Sequence, residues 1–263
     1  MTYPYIYQMP STMTVLKKMM WKEASTQVPV QRGKWQSQEA ATDEFNTFEL
    51  PNTMVLIPPI QSRAEAAERL EPDLPWADAH FLERVGGVPL NPPPSHVDWP
   101  WHKGSEARHL DEVGEFAHTY PERFWPKRAN LSKGVHTGVR FDYGDLNDVI
   151  HQLREDPFTR QAYLPIFFPE DTGSREGQRV PCTLGYHFIR NGASIDCNYF
   201  LRSCDLTRHF ANDAYFTNRL LNHVVQQVKL LGPANDFDAP FVGSVTMFIS
   251  NLHVFQGDMW RYL

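Results

Sequence analysis

Several features of membrane, secreted and nucleic-acid-binding proteins are missing from this sequence. No apolar run approaches the roughly 18 residues that a membrane span needs, and residues 1–25 lack the long apolar segment of a signal peptide. We therefore expect no membrane partner and a cytoplasmic location. The formal net charge is −6, whereas general nucleic-acid binders usually carry a net positive charge, so we expect no nucleic-acid partner.

Cysteine is also scarce. The chain has three cysteines, Cys182, Cys197 and Cys204, and this odd number leaves at least one of them unpaired. No C-x-x-C spacing is present, so the sequence predicts no metal site. The simplest interpretation is that these are reduced thiols of an intracellular protein.

The chain has no internal repeat and no low-complexity segment. Its 263 residues, 41% hydrophobic and 21% charged, are typical of a soluble globular protein. We expect one catalytic domain over 1–263, with a proline-rich loop insertion over 84–104 that Trp99 and Trp101 anchor. Such a long loop is typical of a functional lid.

Hydrophobic periodicity and turn signals predict a mixture of helices and strands. The predicted helices are 64–70, 76–85, 145–155 with Asp145 as N-cap, and 214–230. The predicted strands are 162–168, 186–190, 194–201 and 241–255, with a hairpin turn at Asn191-Gly192. Since the two types do not alternate strictly, we expect the α+β class.

Two residues suggest an anion site with a thiol. Cys182 follows a proline in "RVPCTLGYHF", and a nucleophilic cysteine needs nearby cations. Arg202 follows a predicted strand and could bind a phosphate through two parallel hydrogen bonds. The alternatives are a structural thiol and a surface ion pair between Arg202 and Asp205. From their surroundings alone, Arg160 and Glu83 would be solvated and His253 would be a core residue.

Four segments in order resemble the thymidylate synthase family. They are "DLNDVIHQLREDPFTRQAYLPIFF", "VPCT", "NYFLRSCDLTRHFANDAYF" and "SNLHVF". The resemblance covers 145–256, and the order of the four motifs is more specific than any one of them. It implies a thymidylate synthase-like fold, in which a mixed β-sheet is packed with helices and lies at a homodimer interface.

The resemblance also implies roles for residues that bind the substrate. Cys182 would add as a thiolate to C6 of a pyrimidine ring, which makes C5 nucleophilic. Arg202 and Ser203 would bind the 5′-phosphate. Arg160 would reach the same phosphate from the partner subunit, and Arg32 would be a further phosphate ligand.

Three further roles come from the same resemblance. Asp205 would contact the pterin of 5,10-methylenetetrahydrofolate, the one-carbon donor. Glu83 would order water and relay protons at the base, and His253 would bind the sugar. The implied small-molecule partners are thus a nucleotide and a folate.

The departures from the family pattern concern the base and the sugar. Asp213 stands where the methylating enzymes have an asparagine that binds uracil. A carboxyl group can accept from N4 of cytosine and share a proton with N3, but an ionised carboxylate has no donor for O4 of uracil. With Thr183 in place of a histidine after the nucleophile, Asp213 makes the chain similar to the (deoxy)cytidylate 5-hydroxymethylase branch. In that branch water, rather than a folate hydride, completes the reaction.

Two other departures affect the binding of the phosphate and the sugar, and they leave open whether the sugar is ribose or deoxyribose. Gln161 replaces a second phosphate-binding arginine, and Phe255 replaces a tyrosine that bonds the sugar. The changed sugar strand favours CMP over dCMP, as in the CMP hydroxymethylases of antibiotic biosynthesis rather than the phage enzymes. The alternatives are a dUMP-methylating thymidylate synthase and a non-catalytic nucleotide-binding homologue, which the short segment after Phe255 favours.

Overall fold

The protein is mixed α+β, as the sequence predicts. The computed structural model describes residues 4–31, 34–35, 38–39, 42–101, 110–125, 144–172, 180–232 and 239–262. These residues form an open sheet of seven strands with helices packed against it, and a separate two-stranded ribbon. In the described part of the chain, no helix is long and apolar enough to cross a membrane.

The strands and helices follow one another along the whole described chain. The strands are β1 (Tyr5–Gln8), β2 (Lys34–Trp35), β3 (Gln38–Glu39), β4 (Thr47–Ile57), β5 (Tyr163–Pro165), β6 (Thr183–Asn191), β7 (Ser194–Leu201), β8 (Cys204–Asp205) and β9 (Phe241–Phe255). The helices are α1 (Met13–Ala24), α2 (Arg63–Leu70), α3 (Trp76–Val85), α4 (Tyr120–Phe124), α5 (Leu146–Glu155), α6 (Pro169–Thr172) and α7 (Phe210–Leu231). Short 3₁₀ helices cover Asp43–Phe45, Pro94–Asp98 and Gln256–Tyr262.

The large sheet has the order β1-β4-β9-β7-β6-β5, and β8 pairs with β9 beyond the end of β7. β9 runs parallel to β7 and β8 and antiparallel to β4. Leu201 pairs with Ile249 and Cys204 with Leu252, so β8 continues the register of β7 along β9. Arg202 and Ser203 therefore lie at a break between two strands whose positions are fixed on both sides.

Most of the predicted elements are present. The strands 194–201 and 241–255 and the helix 76–85 have the predicted bounds, and the other predicted helices are confirmed with small shifts. Asp145 caps α5 by accepting from the backbone N–H of Asp148 at 3.1 Å. The turn of the β6–β7 hairpin uses Gly192 at φ +58°, a left-handed conformation that glycine adopts without strain.

The strand predicted over 162–168 is shorter than expected. Only Tyr163–Pro165 pair with β6, because the backbone N–H groups of Ile166 and Phe167 both donate to the carbonyl of Leu184. That shared acceptor ends the regular ladder. The long helix α7 begins four residues earlier than predicted, so Asp213 lies in its first turn rather than before it.

The two faces of the sheet differ in what covers them. Alternate side chains of β7, from Ile195 to Leu201, are buried on the face against which α7 packs. The opposite face carries apolar side chains with substantial exposure, among them Ile6 (64%) and Phe248 (37%). Phe200 and Phe248 stack on this face, with ring centroids 5.1 Å apart.

The proline-rich segment after α3 is more ordered than a plain surface loop. Within 84–101, Arg84 and Ser95 are buried and Pro94–Asp98 form a 3₁₀ helix. Trp99 stacks on His209 at 5.4 Å, and Trp101 lies against Arg208, so both tryptophans anchor the segment as predicted.

Candidate active site

The candidate nucleophile and its cation are adjacent because two strands are paired. Cys182 immediately precedes β6, and its carbonyl accepts from the backbone N–H of Arg202 at 2.9 Å. The guanidinium of Arg202 donates to the carbonyls of Val180 and Pro181 and lies 3.7 Å from Sγ of Cys182. A guanidinium beside a thiol favours the thiolate, which is the nucleophilic form.

Arg202 does not form the surface ion pair with Asp205 that was its alternative interpretation. Its acceptors are the backbone carbonyls that precede Cys182, and these bonds fix the guanidinium over the cysteine loop. Among the described residues, Nε and Nη2 have acceptors, which leaves Nη1 for a ligand. None of the three cysteines is in a disulfide.

Ser203 and His253 meet at the same end of the sheet. The Ser203 hydroxyl lies 3.3 Å from Nδ1 of His253. Burial lowers the pKa of His253, although the charges of Asp205 and Glu49 act in the opposite direction. The imidazole is therefore neutral at pH 7, which suits a hydrogen bond to a sugar hydroxyl.

Asp205 is enclosed by its own loop. Its Oδ1 accepts from the backbone N–H groups of Thr207 and Arg208, at 2.8 and 3.1 Å. Two groups hold Thr207 in this loop: Lys17 donates to its backbone carbonyl, and the Tyr262 hydroxyl donates to the Thr207 hydroxyl. The contact of Asp205 with a pterin stays a prediction. Among the described residues, Oδ2 accepts no hydrogen bond and lies 3.7 Å from Nε of Arg208.

Asp213 projects from the first turn of α7 beside the thiol of Cys204, whose Sγ lies 3.6 Å from Oδ2. Its side chain is partly buried. Burial raises the pKa of Asp213, while the charges of His209 and Arg84 partly offset this effect. A carboxyl group in such a position can retain a proton that an exposed aspartate would lose.

Tyr120 contacts the residue after Cys182 and lies within range of the charge of Asp213. Its hydroxyl lies 3.2 Å from Oγ1 of Thr183, which directly follows Cys182 and also bonds Tyr199 at 2.7 Å. Burial, together with the negative charges of Cys182 and Asp213, raises the pKa of Tyr120 to about 12. The phenol therefore stays neutral, and its hydroxyl lies close to both candidate catalytic groups.

Glu83 is held by neighbouring side chains. Ser95 donates to it through its backbone N–H at 2.6 Å and its hydroxyl at 2.5 Å, and His80 Nδ1 lies 3.1 Å away. Burial would raise the pKa of Glu83, but these hydrogen bonds outweigh it and lower the pKa. The carboxylate is therefore ionised at pH 7, so it can accept a proton but has none to donate.

The Ser95–His80–Glu83 cluster is not a catalytic triad. Both Ser95 and Glu83 approach Nδ1 of the histidine, whereas a relay needs one partner on each ring nitrogen. Burial, with the nearby charge of Arg84, lowers the pKa of His80 to about 4, so the ring is neutral.

The predictions for two further phosphate ligands, Arg160 of a partner subunit and Arg32, are not tested by the described residues. Arg160 is exposed before β5, and its backbone carbonyl bonds His187 at 3.1 Å. Within the described chain, no hydrogen bond or ion pair connects its side chain to Cys182 or Arg202. Arg32 lies outside the described residues.

An aromatic wall, formed by Trp76, His80, Trp99 and His209, lies at the N-terminal end of α7. Trp76 stacks on His80 at 5.2 Å and lies 6.2 Å from Trp99, which in turn stacks on His209. The indole N–H groups of Trp76 and Trp99 are shielded from solvent and have no acceptor in the described chain. Flat ring faces with free donors fit a heteroaromatic ligand.

Sequence reasoning missed Arg84 and Tyr120. A signal for Arg84 was present, because the buried positions of α3 are Ala77, His80, Phe81 and Arg84, a helical stripe on which an arginine is unexpected. Tyr120 gave no comparable signal, since its importance depends on a distant threonine.

No group of three or more histidine, cysteine, aspartate or glutamate side chains in the described ranges could hold a metal ion. No protein-family model matches the chain, and no curated protein matches it significantly.

Proposed function

We propose that this protein is a pyrimidine nucleotide 5-hydroxymethylase that acts on CMP or dCMP. One observation carries the proposal: a cysteine beside an arginine and the carboxyl of Asp213 both lie near enough to Tyr120 for their charges to raise its pKa. A carboxyl group that shares a proton with N3 of cytosine can also accept from its 4-amino group, whereas an ionised carboxylate has no donor for O4 of uracil.

Addition of the Cys182 thiolate to C6 is the first chemical step. Arg202 beside Sγ favours the thiolate. As the S–C6 bond forms, the ring becomes an electron-rich adduct whose C5 is the nucleophile. Covalent addition divides one difficult step into two easier ones.

The one-carbon donor fits the aromatic wall. The indole faces of Trp76 and Trp99 and their unbonded N–H groups suit a pterin ring, and Asp205, the last residue of β8, would contact the same ring. 5,10-Methylenetetrahydrofolate would supply a one-carbon unit at the oxidation level of formaldehyde. In the hydroxymethylase reaction, water then adds to the exocyclic carbon.

The sugar and phosphate would lie along the end of the sheet. Arg202 and Ser203 would bind the phosphate, and neutral His253 would bind the sugar. Phe255 is buried, and its ring contacts His253 and Arg208. As a phenylalanine, it has no hydroxyl that could bond the sugar. This absence of a polar contact leads us to propose CMP as the preferred substrate.

We also propose a homodimer that buries the open face of the sheet. Ile6, Phe200 and Phe248 line an apolar groove of about 390 Å³ on this face. Leu184 and Leu201 line the same groove and lie next to the cysteine loop and to Arg202. A second copy on this face would thus approach the phosphate end of the site, where Arg160 of the partner is predicted to act.

Phe248→Lys should give a monomer in sedimentation velocity, whereas Val113→Lys, at a 78% exposed position in a turn, should not. A monomeric wild type would contradict the homodimer.

One assay tests the reaction. The protein is incubated with 5,10-methylenetetrahydrofolate and 5-tritiated CMP, dCMP or dUMP, and tritium release and product mass are measured. We expect release from a cytosine nucleotide and a 5-hydroxymethyl product. Release from dUMP alone would favour a methylase, and no release from any substrate would favour a non-catalytic binding protein.

Two variants test the assigned roles. Cys182→Ala should lower tritium release by roughly 10³-fold or more while nucleotide binding persists, because it removes the nucleophile. Cys197→Ala is the matched control, since that thiol is buried in β7 away from the loop.

Asp213→Asn should shift preference toward uracil nucleotides, and an unchanged preference would refute the role of Asp213 in reading the base.

A further inference from the structure

Arg84 is a buried cation that the proposed reaction does not yet use. It lies in the last turn of α3 and is only 4% exposed. Its guanidinium carbon lies 4.2 Å from the ring centroid of Tyr120 and 4.1 Å from that of Phe216. Contacts with two ring faces restrain the guanidinium plane and leave the N–H edges as its hydrogen-bonding groups.

Those edges find no acceptor within the described chain. The Nε of Arg84 is shielded from solvent and has no hydrogen-bond partner. A buried charge is costly unless it is paired and hydrogen-bonded, so an unpaired guanidinium at this place suggests that a ligand supplies the acceptor.

The two rings that hold Arg84 locate it within the candidate site. Phe216 lies three residues after Asp213 on α7, one helical turn away on the same side. Tyr120 bonds Thr183, the residue after Cys182. Arg84 therefore lies between the helix that carries the base-reading carboxyl and the loop that carries the thiol.

We propose that the guanidinium of Arg84 donates to the C2 carbonyl oxygen of the cytosine ring. Asp213 would then engage N3 and the 4-amino group, so that the two residues together bind the whole polar edge of the base. This inference rests on the proposed nucleotide substrate. Because uracil has the same C2 carbonyl, Arg84 adds affinity for either base and Asp213 supplies the discrimination.

The contact also has a chemical consequence. When the S–C6 bond forms, the C5–C6 π pair moves to C4–C5, and the C4–N3 π pair moves to N3. The proton of Asp213 transfers to N3, which leaves Asp213 as a carboxylate. The neighbouring C2 oxygen shares the charge that develops at N3, and a fixed cation at that oxygen stabilises it.

The test compares CMP with 2-thio-CMP, in which sulfur, a weaker acceptor, replaces the C2 oxygen. Calorimetry on the wild type should show CMP binding about tenfold or more tighter, as expected for a lost bond to a charged donor. Arg84→Met should weaken CMP binding by a similar factor, and the difference between the two nucleotides should disappear. Arg219→Met is the matched control, because Arg219 also lies over two aromatic rings but is paired with Asp78.

The outcomes separate this inference from the proposed function. Equal wild-type affinities for CMP and 2-thio-CMP would overturn the role of Arg84 alone, and this comparison needs no variant to fold. Equal weakening of both nucleotides by Arg84→Met, with their difference retained, would show a structural effect and overturn it too. A wild type that binds no pyrimidine nucleotide would overturn the proposed function and this contact together.

Discussion

Two arginines with almost completely buried side chains, Arg123 and Arg84, lie in very different surroundings. Arg123, at the end of α4, is 1% exposed and donates to both carboxylate oxygens of Asp171 at 2.9 Å. Arg84 is 4% exposed, packs on two aromatic rings and has no acceptor in the described chain. Both terminal nitrogens of Arg123 have carboxylate acceptors although its Nε has none, whereas no nitrogen of the Arg84 guanidinium has an acceptor among the described residues.

The difference separates an arginine that stabilises the fold, Arg123, from one that is proposed to bind a ligand, Arg84. Asp171 also accepts from the backbone N–H of Phe168, so the Arg123 pair ties α4 to the segment after β5. Removing one member of such a pair leaves an uncompensated buried charge. Arg84 has no such pair among the described residues, which agrees with the ligand contact proposed for it.

The largest expected effect is a difference in the free energy of unfolding between methionine substitutions at the two arginines. Arg123→Met should lower the free energy of unfolding by about 3–5 kcal/mol, because it leaves the buried carboxylate of Asp171 without its partner. Arg84→Met should change that free energy by less than about 1 kcal/mol, since lost cation–π contacts are offset by relief of an unpaired buried charge. Urea unfolding of both variants measures the contrast.

A double variant provides the control for this comparison. Arg123→Met with Asp171→Leu should recover much of the stability lost in the single variant, because no charge is left unpaired. If Arg84→Met proves as destabilising as Arg123→Met, Arg84 is a structural residue and the contrast fails.

The pH dependence of stability should show a smaller effect at Asp213. Burial raises the pKa of Asp213 in the folded chain above its ordinary value of 3.8. The folded chain therefore holds this proton more tightly, and the resulting stability is present below pH 3.8 and is lost as pH rises through the folded pKa. Relative to Asp213→Asn, the wild type should lose up to about 1.4 kcal/mol per unit of pKa shift.

Urea unfolding of wild type and Asp213→Asn between pH 3.5 and about 7 measures this difference, since the amide does not titrate. In the Arg84→Met background the loss should extend to higher pH, because the charge of Arg84 lowers the pKa of Asp213. Parallel pH profiles for wild type and Asp213→Asn would mean that the carboxyl is not perturbed.

The smallest expected effect concerns the hydroxyl of Tyr120. Tyr120→Phe keeps the ring that packs on Arg84 and removes the bond to Thr183, which should cost about 0.5–1.5 kcal/mol of unfolding free energy. Nucleotide affinity should change by less than about threefold, because the proposed base contacts remain. A loss as large as that of Arg84→Met would point to the hydroxyl, rather than the guanidinium, as the ligand's partner.

Most of the secondary structure could be predicted from local sequence. The strand 241–255 and the helix 76–85 have apolar patterns with one clear period, and the capping box of α5 is encoded within four residues. The strand 162–168 was overextended because its end depends on how two backbone N–H groups share the carbonyl of Leu184, which no local pattern specifies.

The candidate site was predicted in part. Asp213, Cys182 and Arg202 were identified from ordered motifs, and the structure brings Cys182 and Arg202 to 3.7 Å. That Arg202 bonds backbone carbonyls instead of Asp205 follows from the pairing of β6 with β7, which a linear pattern does not specify.

The sequence by itself determined the element types, the mixed class and the chemical groups on offer, because periodicity, turn residues and side-chain chemistry are local properties. Only the tertiary structure decided which buried charges are compensated. Arg84 and Arg123 are the same residue type near helix ends, and both pack on aromatic rings. What distinguishes them is whether a distant segment places a carboxylate beside the guanidinium. That choice depends on packing between segments far apart in the chain, where the cost of burying a charge depends on its neighbours in space.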